Sequence, residues 1–228
     1  HHRATHGRKQ LLHELDVGLM LVQKDQLGPV LKILSRVSKA EEQLRSLWDV
    51  VSTLTPTDYL RFRDALGEAS GFQSYQYRML EFALGNKNAK LAEVFAHNPP
   101  IYARVQDRLN SPSLYDETLR LLKRRGFELP ATTVDRDWSQ PYRPDDAVVA
   151  AWREVYLNTD VHWDLYEFAE KLIDVEDQFQ RWRFLHFKSV ERLIGHRIGT
   201  GGTSGASYLK KALDLRFFPE LYTVRTEL

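Results

Sequence analysis

Between Asp145 and Leu193 the chain runs without a single glycine or proline. Strands average about five or six residues and need turn residues between them, so helix is the one regular structure open to such a stretch. Asn158-Thr159-Asp160 is its one seam, dividing it into two antiparallel or kinked pieces. In the second piece Leu165, Phe168, Leu172, Val175, Phe179, Trp182, His186, Val190 and Leu193 recur at steps of three or four. That spacing places all nine on one face of a helix, and predicts a buried stripe with a histidine in it.

The same period governs the chain upstream. Val30, Ile33, Leu34, Val37, Leu44, Leu47, Trp48 and Val51 follow Pro29, which suits a helix start. Thr55-Pro56-Thr57-Asp58 reads as a stop and a new N-cap, with Tyr59, Phe62 and Leu66 on one side of the next helix. Tyr75, Met79, Phe82 and Ala83 resume the stripe up to Gly85-Asn86-Lys87-Asn88. Leu91, Val94 and Phe95 open a further helix, which Asn98-Pro99-Pro100 is expected to end or kink. Ser111-Pro112 caps a short helix ended by Gly126, and residues 129–144, rich in Pro, Asp and Thr, read as a long surface loop. Strand-like alternation nowhere exceeds four residues, and there is no repeat of 20 to 50 residues. The expectation is an all-α chain: one compact helical bundle over residues 1–228, built on the long helix of its C-terminal half.

Composition removes several function classes. There is no cysteine, which excludes disulfide frameworks, thiolate metal sites and thiol catalysis. Lys plus Arg is 32 against 31 for Asp plus Glu, a balance that lacks the basic excess on which nucleic-acid and acidic-membrane binding rest. No apolar run approaches the roughly 18 to 20 residues of a membrane helix, and the first ten residues hold no secretory segment. A soluble, cytoplasmic protein is expected.

Three places could carry chemistry. His186 sits in the apolar stripe between Trp182 and Val190. A neutral imidazole there is either a core histidine bonded to a neighbouring helix or a single axial ligand to haem iron. The Glu-x-x-His pattern of a dinuclear carboxylate site is absent, because Arg183 stands three positions earlier. Beyond the helix, Gly199-Thr200-Gly201-Gly202-Thr203-Ser204-Gly205 offers backbone amides and three hydroxyls, either as a nest for a carboxylate or phosphate or as a flexible connection. It has neither the Gly-Lys-Ser/Thr of a phosphate-binding loop nor the spacing of a dinucleotide fingerprint. Tyr59 and Arg63, four apart, share a helix face; Arg63 is either paired with Asp64 or Glu68 or available to an anionic ligand. His1, His2 and His6 lie at a terminus, where a zinc site is not expected.

Several blocks together carry a resemblance. Phe62-Arg63-Asp64-Ala65-Leu66-Gly67, Ser70-Gly71-Phe72-Gln73-Ser74, Gln76-Tyr77-Arg78, Leu84-Gly85-Asn86-Lys87-Asn88, Gln180-x-Trp182-Arg183-Phe184-x-His186, the loop from Gly199 to Gly205 and Phe217-Phe218-Pro219-Glu220-Leu221 resemble tryptophan 2,3-dioxygenase. The resemblance runs from about Lys9 to the C-terminus. It implies a helical homotetramer that binds haem b, ferrous when active, in a cleft between helices. With dioxygen it opens the indole ring of L-tryptophan to N-formylkynurenine, the first step of the kynurenine pathway.

By the same resemblance, His186 is the proximal ligand of the iron and Arg63 pairs with the substrate carboxylate. Tyr59 and Phe62 line the substrate pocket, Thr200 holds the amino-acid end, and Gly71 lies beside the haem. Ungapped spacing back from Tyr59 sets His1 opposite the distal histidine. The residues before Lys9 depart from the family pattern, which implies a missing or altered N-terminal segment. The rival expectations are a haem protein that acts on or only binds another indole derivative, and a truncated, inactive helical oligomerisation module.

Overall fold

The structure, a computed structural model, describes residues 2–63, 74–195, 197 and 205–228, and the side chains of all of these except 2–6 and 62. Within them every regular element is helical. Helix α1 (His2–Gln23) turns back at Asp25, which takes a positive φ of 56°, into α2 (Leu27–Val51). The two pack against each other, and at Gly7 an added Cβ would stand 2.9 Å from the tip of the Leu44 side chain, which would have to shift.

Helix α3 (Pro56–Arg63) starts from a reciprocal cap. Thr55 donates through its amide and hydroxyl to the Asp58 carboxylate, and the Asp58 amide donates back to the Thr55 hydroxyl. Helix α4 (Tyr75–Leu84) begins at Ser74 and stops at Gly85, whose φ of 132° suits glycine alone. Two single 3₁₀ turns, Ala89–Leu91 and Glu93–Phe95, take the place of the helix expected there. Asn98-Pro99-Pro100 opens a helix rather than ending one. The Asn98 side chain accepts from the Ile101 amide, and the prolines occupy the first turn of α5 (Pro99–Asn110), where no N–H is needed.

Helix α6 (Leu114–Arg124) is capped by Ser113 in a reciprocal bond with Asp116, two residues beyond the expected Ser111. The segment 129–144 is largely irregular, with one turn of helix, α7 (Ala131–Val134). The long breaker-free stretch divides at the expected seam into α8 (Asp146–Leu157) and α9 (Trp163–Ile194), followed by α10 (Ala206–Ala212) and α11 (Pro219–Glu227).

Helix α9 lies along α2, and α4 and α6 pack on α1. The core between them is built from Leu11, Leu15, Val22, Val30, Leu34, Phe82, Leu119, Trp152, Phe168, Leu172 and Val175, all nearly or fully inaccessible. No helix among the described residues is long and apolar enough to cross a membrane.

Candidate functional site

The stripe on α9 changes character along its length. Leu165, Phe168, Leu172, Val175 and Phe179 are buried, whereas Trp182, His186, Val190 and Leu193 are half-buried. The expected continuous buried stripe therefore ends at Phe179, two turns before the histidine, and His186 stands at the mouth of the helical core.

Its surroundings are aromatic. The imidazole is stacked on the Trp48 indole of α2, with ring centroids 4.7 Å apart and planes at 20°. Trp182, one turn earlier on α9, lies 5.2 Å away at 58°, and Trp48 and Trp182 meet edge to face at 5.7 Å. Loss of water around the ring, with a smaller push from the Arg8 guanidinium of α1, lowers the His186 pKa to about 4. At neutral pH the ring carries no charge. Neither ring nitrogen has a hydrogen-bond partner among the described residues, so the expectation of a core histidine bonded to the next helix is not met there.

Beneath this aromatic group lies a buried ionic cluster. Glu81 of α4 receives Arg78 from its own helix, Arg183 of α9 at 2.9 Å and the Tyr77 hydroxyl at 3.0 Å. Arg183 also donates to the Leu215 carbonyl at 3.1 Å, and its guanidinium lies over the Phe179 and Phe217 rings. Arg78 further donates to the Tyr208 phenol of α10. The cluster thus ties α4, α9 and α10 together three residues before His186 on α9. Tyr77, Arg78 and Arg183 fall within blocks of the resemblance, but Glu81 does not, and no spacing along the chain pairs residue 81 with residue 183.

Helix α3 packs against α9, the helix that carries His186, and presents Tyr59 and Arg63 half-buried four residues apart. For Phe62 the structure gives the backbone, within α3. His1, Gly71 and Thr200 lie outside the described residues, together with Asp64, Glu68 and the glycine-rich segment as far as Ser204. Sequence reasoning missed Arg8 and did not connect Trp48 with the histidine. Spacing sets Trp48 only on the apolar side of α2, and its facing partner is a tertiary fact.

A haem can be tested against these residues. The macrocycle would supply the remaining nitrogens to haem iron, so one neutral imidazole would suffice from the protein. His186 is neutral, and its nitrogens are unclaimed among the described residues. The nitrogen lone pair lies in the ring plane, so an indole stacked on the ring face leaves that direction open. The donor therefore fits. The small cavity under Trp182, about 20 Å³, is far below the size of a macrocycle and is not where one would sit. Among the described residues no group of three or more His, Asp or Glu side chains converges as a protein-only metal site would require.

Comparison with known proteins places this geometry. The family profile described as tryptophan 2,3-dioxygenase matches residues 7–108 and 153–228, which include α2 to α4 and α9 to α11 in full and most of α1 and α5. A tryptophan 2,3-dioxygenase of Bacillus thuringiensis (strain Al Hakam) is 51% identical over 220 residues, 96% of this chain and 79% of the relative. One from Burkholderia orbicola (strain MC0-3) is 54% identical over 96% of this chain and 71% of its own length. One from Geobacillus thermodenitrificans (strain NG80-2) is 50% identical over 96% and 79%.

Proposed function

Because the chain belongs to the tryptophan 2,3-dioxygenase family, we propose that it is a cytoplasmic, haem-dependent dioxygenase that opens the indole ring of L-tryptophan with O2 to give N-formylkynurenine. The observation that carries the haem part is the neutral His186 imidazole, desolvated between Trp48 and Trp182 with both nitrogens unclaimed among the described residues. Haem, when bound, supplies the oxygen activation that no side chain can perform.

The chain's own residues have the remaining tasks. His186 holds the iron through its ring nitrogen, and the indoles of Trp48 and Trp182 keep water from the imidazole and fix its plane. Arg63 accepts the substrate carboxylate, for which a planar guanidinium is suited by two parallel N–H bonds. Thr200 holds the amino-acid end of the substrate, Tyr59 and Phe62 line the pocket, and Gly71 lets the backbone pass close to the haem. His1 accepts a hydrogen bond from the indole N–H. Holding the zwitterionic tail fixes the indole in one orientation and rejects indoles that lack the carboxylate. The same reading takes the assembled enzyme as a homotetramer.

Reconstitution with haem, followed by reduction and an assay for N-formylkynurenine, tests the proposal. The parent protein should gain a Soret band and turn over L-tryptophan, and His186→Ala should lose the band. A band of equal strength in His186→Ala would overturn the ligand assignment. A fully loaded parent that consumes no tryptophan would overturn the activity. Light scattering of the loaded protein checks the tetramer.

A further inference from the structure

Beside the cluster under His186 stands a buried acid with an unpartnered oxygen. Glu41 of α2 is only 5% exposed, and its Oε2 has no hydrogen-bond partner. Glu41 borders a cavity of about 20 Å³ that is also lined by Arg8 of α1, Tyr77 of α4 and Trp182 of α9, with Leu11 and Leu44 among the apolar walls. A cavity needs about 10–15 Å³ to admit one water, and the water needs two to four polar partners. This one is large enough for one water, and residues with polar side chains line it from four helices.

We propose that Glu41 and Arg8 hold one buried water molecule in this cavity, and that Glu41 is thereby a positioning residue for the Trp182–His186 face of α9. The hydrogen-bond inventory closes around it. Arg8 can only donate, as can the Trp182 indole N–H, so both donate to the water's two lone pairs. The Tyr77 hydroxyl spends its proton on Glu81, which leaves its oxygen to accept. The orphaned Glu41 oxygen takes the water's other proton. Burial pushes the Glu41 pKa well above the usual carboxylate range, opposed by Arg183 of α9. The water thus adds hydrogen bonds from α1 and α2 to the Trp182 indole, which packs on His186 and which the Tyr77 ring of α4 already meets at 5.1 Å. The water site stands on Glu41 and its cavity. It rests on the haem reading only where iron serves as the reporter.

Glu41→Gln and Glu41→Leu test it, since Gln keeps the shape and hydrogen bonding while Leu fills the cavity and offers no polar atom. In the infrared spectrum a protonated-carboxyl C=O stretch of the parent should persist to higher pH than an ordinary glutamate allows, and be absent in both variants. Crystals of parent and Glu41→Gln should contain one ordered water between residues 8, 41 and 182, and Glu41→Leu none. The His186 nitrogen chemical shifts of the haem-free protein, and the iron–histidine stretch of the loaded ferrous protein, should move in Glu41→Leu and stay in Glu41→Gln. A dry cavity in the parent, or an ionised Glu41 bonded directly to Arg8, overturns the water site. Unmoved His186 signals in a Glu41→Leu protein that has lost the water overturn the positioning role. Failure of the parent to bind haem would sink the haem reading and leave the infrared, crystallographic and haem-free arms decisive.

Discussion

His186 lies face to face with Trp48, 4.7 Å between ring centroids and 20° between planes, across the seam where α9 packs on α2. The indole covers one face of the imidazole and so accounts for part of the desolvation that brings its pKa to about 4. Trp48→Ala should let water reach that face and raise the pKa toward the ordinary 6.5. Titration of the imidazole ring protons by NMR in the haem-free protein checks this. An unchanged midpoint would show that Trp182 and the remaining core alone exclude the water.

The same depressed pKa fixes the direction of an acid effect. Between pH 6.5 and about 4 the unfolded chain binds a proton at His186 and the haem-free folded chain does not. Stability is therefore full above 6.5 and is lost as the pH falls through this window. At about 1.4 kcal/mol per pKa unit the loss is at most roughly 3 kcal/mol, and less because the ring is half-buried. Denaturant melts of the parent and of His186→Gln at pH 7.5 and pH 4.5 should show a smaller acid loss in the variant.

Glu81 is the shared acceptor for two buried guanidiniums, those of Arg78 and Arg183. Removing one partner of a buried ion cluster leaves uncompensated charge and costs about 3–5 kcal/mol. Glu81→Gln should therefore unfold at markedly lower urea, whereas Glu42→Gln in the exposed pair Lys39–Glu42 should leave the urea midpoint nearly unchanged. Equal sensitivity at the two sites would mean that burial does not set the strength of these ion pairs.

What the sequence makes legible depends on how local each feature is. The seam at Asn158-Thr159-Asp160 is readable because the periods on either side are long and unbroken. Helix α1 escapes such a reading, although Leu11, Leu15, Leu19 and Val22 line its buried side, because its first turns are charged and carry no apolar signal. The proline pair at 99–100 misleads because the same dipeptide either closes a helix or opens one, and the choice rests on whether Asn98 caps the turn after it. At the site, spacing alone singles out His186 and the pair Tyr59 and Arg63, while the resemblance supplies their roles. The Trp48 stack, the Glu81 cluster and the Glu41 cavity depend on the packing of α2 and α4 against α9, which no period along one helix encodes.

Lys87 offers a test of a buried charge that serves the fold. It is 1% exposed, and its ammonium donates to the carbonyls of Arg108 at 2.9 Å, Leu109 at 3.0 Å and Ser111, at the end of α5. Burial pulls its pKa down to about 7, yet three acceptors match the three N–H bonds of the charged form, and a neutral amine has only two. Lys87→Met keeps the length and strands those carbonyls in the core. With charge-assisted bonds worth about 1.5–3 kcal/mol, a loss of at least that size is expected in chemical denaturation. A smaller loss would mean that water replaces the ammonium.

Arg63 separates substrate recognition from haem binding. It lies half-buried on α3, which packs on α9, so its loss should leave the surroundings of the His186 imidazole intact. If it pairs with the tryptophan carboxylate, Arg63→Ala removes charge-assisted bonds worth about 1.5–3 kcal/mol, which corresponds to a rise in KM of roughly 10- to 150-fold. Arg63→Lys should recover only part of this, because an ammonium cannot offer the planar two-point fork. The Soret maximum of both variants should match the parent. Tryptamine, which lacks the carboxylate, should be used about equally poorly by parent and variant. A KM for tryptophan unchanged in Arg63→Ala would remove Arg63 from the substrate site and shift the burden of holding the carboxylate to the segment around Thr200.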